Sequence, residues 1–193
     1  MSSSTDNLAP IARKILKHDA ATAYTKLVLT ASDGNETARA ALESVRPEEL
    51  LTPAPSHPEF ARGMLAGLWL WHDWLDESHK LSQELETPEG SFWHAIMHRR
   101  EGDFSNSKYW YNRVGAHALY PSISAQANAI IADAPPDKAI LRVNFSAWNP
   151  AALVDLVEQV HGTPPDDPKH RIAVALQQLE WRVLFDHCAR EAK

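Results

Sequence analysis

Six residues in the middle of the chain are of the types that bind metals and move protons, and they recur at helical spacing. His72, Asp76 and His79 stand at i, i+4 and i+7, and His94, His98 and Glu101 repeat that spacing further along. Residues three and four apart share one face of an α-helix, so each triplet forms a stripe of imidazole and carboxylate groups. Two facing stripes would make one site. The chemistry open to it is acid–base catalysis by His79, His94, His98 and Asp76, or coordination of a divalent metal by His79, His94, His98, Asp76 and Glu101. Zinc, iron and manganese are the ions suited to such ligands. The spacing alone does not choose between them. Ala95 follows His94 where a zincin-type motif requires glutamate, and Asp76-x-x-His79 and His98-x-x-Glu101 only rearrange the Glu-x-x-His steps of di-iron bundles. The opposing reading is that these side chains are hydrogen-bonded polar groups with no metal. A shared site requires imidazole nitrogens of His79, His94 and His98 within about 5 Å of a common point.

The surroundings offer ligand-binding groups as well. Arg99, Arg100 and Arg113 carry planar guanidinium groups able to grip a carboxylate or phosphate at two points. The same arginines, beside Glu101 and Asp103, could equally form ion-pair networks that fix helix ends. Trp93 and Trp110 are either core residues or the flat walls of a pocket for an organic ligand, and Gln83 continues the polar line begun by His72.

Helices must position these groups. Apolar residues keep helical period at Ile11, Ile15 and Leu16, and again at Tyr24, Leu27 and Val28, which reads as a second short helix or an extension of the first. A proline-dense connector, residues 47–58, precedes one long helix expected from Glu59 to about Glu86. Further helices are expected over Phe92–Glu101, from Ser105 to about Val114, from Ser122 to Ala132, after the Asn149-Pro150 start signal, and from His170 to about Arg190. No segment alternates with period two, so the fold class is all-α: one domain over residues 1–193 with about seven to nine helices, bundle-like, its tip at residues 1–8 mobile. Gly102-Asp103 followed by Lys108-Tyr109-Trp110-Tyr111 is similar to the turn of a tetratricopeptide-type helix pair, but no second copy follows at the repeat period.

A net charge of −6 gives no general attraction to nucleic acid or to an anionic membrane. No apolar run is long enough to span a bilayer, and the polar N-terminus lacks the features of a signal peptide, so the chain is expected to be soluble and cytoplasmic. The single cysteine, Cys188, rules out an intrachain disulfide and a thiolate-rich metal site.

The stretch from Gly90 to Gly115, GSFWHAIMHRREGDFSNSKYWYNRVG, together with Asp73-x-x-Asp76-x-Ser78-His79 and Glu180-Trp181-Arg182 to Cys188, resembles a family of small, predominantly helical proteins of bacteria and fungi. The resemblance covers about half the chain and implies a helical fold; it carries over no activity, cofactor or catalytic residue. Two functions are therefore open. One is a hydrolase-like enzyme or small-molecule binding protein with a pocket among the central helices. The other is a helical interaction module whose polar stripes are structural networks.

Overall fold

The computed structural model describes residues 7–30, 34–132, 134, 137–143 and 147–193. Helices α1 (Pro10–Lys17) and α2 (Glu36–Ser44) lead to a single 3-10 turn at Pro47–Glu49. Then come α3 (Pro58–Trp71), α4 (Leu75–Gln83), α5 (Pro88–Glu101), α6 (Phe104–Val114), α7 (Tyr120–Ala132), α8 (Lys138–Val143), α9 (Pro150–Val160) and α10 (Pro168–Glu191). Among the described residues there is no strand, only an isolated bridge between Leu8 and Leu51, so the fold is all-α as the periodicity indicates. No helix among them is long and apolar enough to cross a membrane.

Start signals in the sequence act where they stand. Asn35, Thr87, Asp103, Asn149 and Asp167 each accept a first-turn N–H at a helix N-terminus, and proline occupies the first turn of α1, α3, α5, α9 and α10. The best-defined element is α5. Thr87 Oγ1 accepts the Gly90 N–H at 3.0 Å, and Gly102 in the left-handed conformation (φ 87°) ends the helix while Asp103 N–H folds back to the His98 carbonyl at 3.0 Å.

Every residue of α5 from Gly90 to Arg100 is buried. The helix packs against α3, α4, α6 and α10, and the close approach of α3 depends on its glycines. A Cβ at Gly67 would lie 2.7 Å from the Trp93 ring, and one at Gly63 would lie 3.3 Å from its indole nitrogen. Trp93 thus fills a notch in α3, and Trp181 of α10 donates its indole N–H to the Gly67 carbonyl at 2.8 Å. A helix buried on all sides must also satisfy its polar residues internally. Arg99 does so by pairing with Glu180 of α10 at 2.7 Å and donating to Tyr111 Oη at 2.7 Å, while Tyr111 donates to Glu180 at 3.0 Å.

Three sequence expectations need correction. The long helix expected over 59–86 breaks at His72-Asp73-Trp74, where Asp73 takes φ 66°. The cause lies far along the chain: Arg100 donates to the Leu70 carbonyl at the end of α3 (2.6 Å) and to Asp73 Oδ1 (2.7 Å), and stacks over Tyr24 at 4.1 Å. A charged cap on the last carbonyls and a carboxylate held in the left-handed region terminate α3 without proline or glycine. The helix expected around Tyr24, Leu27 and Val28 is instead turn and extended chain, with Tyr24 itself at φ 56°. Residues 1–6 lie outside the described residues, but Leu8 is buried and Ala9 N–H bonds to the Leu50 carbonyl at 2.9 Å, so the mobile tip does not extend to Leu8.

Candidate metal centre

Breaking the 59–86 helix rearranges the first triplet. His72 stays at the end of α3, 1% exposed, where its Nε2–H donates to the Ile15 carbonyl at 2.9 Å. Asp76 lies on the exposed side of α4 among Asp73, Glu77 and Glu101. His79 alone turns toward α5, where it meets His94 and His98 with ring centroids at 4.7 and 5.4 Å. One nitrogen of each of the three rings lies within 4.8 Å of the others.

The hairpin of α5 and α6 completes the surroundings. Because the Gly102-Asp103 turn folds α6 antiparallel to α5, Asn106 comes against His98 and Trp110 against His94. Trp110 stacks on His94 at 3.9 Å with an interplanar angle of 18°, and His94 stacks in turn on His98 at 4.8 Å. His98 Nδ1–H donates to Glu101 Oε2 at 2.9 Å, which fixes the tautomer and leaves Nε2 with the lone pair. Asn106 Nδ2 lies 3.0 Å from Nε2 and 3.4 Å from Nδ1 of the same ring. Among the described residues Asn106 is thus the one donor set against His98 Nε2, and an ion bound there would have to displace it.

His94 is 3% exposed, and neither of its ring nitrogens has a hydrogen-bond partner among the described residues. Desolvation first, then the neighbouring His98 and His79, hold its pKa down at about 3. Desolvation, followed by His98, lowers His79 as well. A neutral imidazole in a group that resists protonation keeps its lone pair for a different Lewis acid.

The remaining residues singled out in the sequence divide into two sets. Arg99, Arg100 and Trp93 are fully buried and engaged in the networks and notch described above, with no surface to offer a ligand. Gln83, Trp110 and Arg113 line a common cleft of ≈ 570 Å³ beside the histidines. Glu101 is exposed and reaches the trio only through His98.

Sequence reading missed a second cluster. Glu89 of α5, His117 of the α6–α7 connection and His187 of α10 also converge, with His187 Nε2 at 3.1 Å and His117 Nε2 at 3.6 Å from Glu89 Oε1. Its members come from three separated segments, and nothing in their spacing announces the meeting. This cluster is already satisfied. Leu119 N–H donates to His117 Nδ1 at 3.2 Å, so the proton of the neutral ring sits on Nε2, facing the carboxylate. Burial would raise Glu89, but hydrogen bonds from His117 and His187 outweigh it and hold the carboxyl far below its usual range. It is a clasp between elements, whereas in the other group both ring nitrogens of His94 are without a partner among the described residues.

The fold and site define an all-α protein carrying a three-histidine cluster on a helical hairpin and its preceding helix. Compared with known protein families, curated proteins and solved structures, the chain matches none.

Proposed function

We propose that the protein is a metal-dependent enzyme of the hydrolase kind, in which His79, His94 and His98 hold a divalent cation, zinc in the first place and iron or manganese as alternatives. The observation that carries this reading is the buried His94 ring without a partner on either nitrogen, facing two further imidazoles. An unsatisfied buried polar group costs about 1–3 kcal/mol, and that cost at His94 would be offset if its lone pair, with those of His79 and His98, held an ion. Nitrogens around a tetrahedral zinc stand about 3.4 Å apart, so coordination asks for a modest closing of the trio, with the partly exposed His79 on α4 the freest to move. A divalent ion held by His79, His94 and His98 would supply Lewis acidity and could activate a water for attack on an acyl or related bond at neutral pH. Glu101 orients His98 from behind and increases its basicity as a ligand.

The test is elemental analysis of protein purified without chelator or affinity tag, beside His94→Ala and His98→Ala. About one metal ion per chain in the wild type, lost in both variants while circular dichroism stays helical, is the expected result. A wild type that takes up no metal after supplementation overturns the reading. The alternative, a helical interaction module with purely structural polar groups, is favoured by the ion pairs of Arg99 with Glu180 and of Arg100 with Asp73 and would then remain.

A further inference from the structure

Beside the three histidines, the cleft of ≈ 570 Å³ runs between the end of α4, the α4–α5 turn and α6, with Gln83, Glu86, Thr87, Ser91, Trp110 and Arg113 in its walls. Trp110 belongs to both places, stacked on His94 at 3.9 Å and lining the cleft. A ligand seated in the cleft therefore lies against the indole that backs the histidine cluster.

Arg39, Arg46, Arg62, Arg99 and Arg100 are each paired with a carboxylate. Arg113 is exposed, lies 5.1 Å over the Trp110 ring and makes no ion pair among the described residues. Ser91 is only 9% exposed, lines the cleft, and its hydroxyl has no hydrogen-bond partner among the described residues. The first-turn amides of α5 are already used, Gly90 N–H by Thr87 Oγ1 and Ser91 N–H by the Thr87 carbonyl. An anion here is therefore held by side chains and not by the helix end. The exposed Glu86 carboxylate at the rim opposes a second negative charge, which favours a singly charged carboxylate over a phosphate. The Trp110 face suits a flat body, and the Gln83 amide offers both a donor and an acceptor to a neutral polar group.

We propose that this cleft is a carboxylate-recognition subsite: Arg113 grips the ligand carboxylate at two points, the Ser91 hydroxyl donates to it, and a planar body lies on Trp110. The Trp110 indole stands between this subsite and His94, so carboxylate binding there does not rest on the metal-hydrolase reading.

Benzoate is the probe, titrated calorimetrically into the full chain while the Arg113 Nε–H and Trp110 indole N–H signals are followed by nuclear magnetic resonance. Saturable binding that shifts both signals is expected, weakened at least about tenfold in Arg113→Ala, only partly restored in Arg113→Lys and unchanged in Arg171→Ala. No saturation in the wild type, equal affinity in Arg113→Ala, or tighter binding of inorganic phosphate than of benzoate overturns the subsite. His98→Ala separates the two proposals, because benzoate binding persists there even when the metal is lost. Metal uptake without benzoate binding sinks the subsite alone, and benzoate binding through Arg113 without metal uptake supports the subsite and sinks only the hydrolase reading.

Discussion

His94 is where a single side chain makes the strongest statement. Its folded-state pKa of about 3 lies below the ordinary 6.5, so between those values the unfolded chain binds a proton that the folded chain refuses. The stability gained from its neutrality is fully present above pH ~6.5 and is lost as the pH falls toward ~3, at no more than about 1.4 kcal/mol per pH unit. Urea unfolding of metal-free protein between pH 7 and pH 4 should show this slope reduced in His94→Gln, and equal slopes in the two proteins would refute it. At this scale the sequence was informative about identity and poor about partners. The i, i+4 spacing put His94 and His98 on one face of one helix, and both remain there. That His79 joins them while His72 and Asp76 do not depends on a break that no residue between 59 and 86 signals.

That break belongs to the scale of elements. Arg100 on α5 holds the carbonyl of Leu70 in the last turn of α3 and the carboxylate of Asp73, so a residue 27 positions downstream of Asp73 decides where α3 stops and how α4 leaves it. Local periodicity cannot report a cap supplied from another helix, which is why the stripe looked continuous. Removing one partner of a buried, hydrogen-bonded ion pair costs about 3–5 kcal/mol. Arg100→Ala should lose about that much in denaturant unfolding and, because α4 is no longer anchored, should bind zinc more weakly than the wild type in a competition titration. Full zinc affinity in a folded Arg100→Ala protein would show that the α3–α4 corner does not set His79. The α5–α6 hairpin, by contrast, was legible: Gly102-Asp103 marked the turn, and folding back across it puts residues 94 and 110 opposite each other. Carrying that antiparallel pairing one step further would also have found Asn106 opposite His98.

For the molecule as a whole, the buried triad of Arg99, Tyr111 and Glu180 ties α5, α6 and α10 together beneath the histidine cluster. The helical character of every partner was readable from periodicity and caps, but the pairing of α5 with α10 joins Arg99 to Glu180 far along the chain and leaves no trace in local pattern. A buried pair of this kind contributes little net stability against a well-packed apolar replacement, yet leaving one charge behind is costly. Arg99→Met alone should therefore destabilise the fold by about 3–5 kcal/mol, while Arg99→Met combined with Glu180→Leu recovers most of the loss. Denaturation midpoints of the single and double variants decide it, and additive losses in the double variant would contradict the argument.

One shared wall has a thermodynamic corollary. The Trp110 indole is at once the neighbour of His94 and the floor of the cleft. Were an ion and an organic guest to occupy the two sides, whatever factor the ion imposed on the guest's affinity the guest would impose on the ion, with Trp110 as the contact they share.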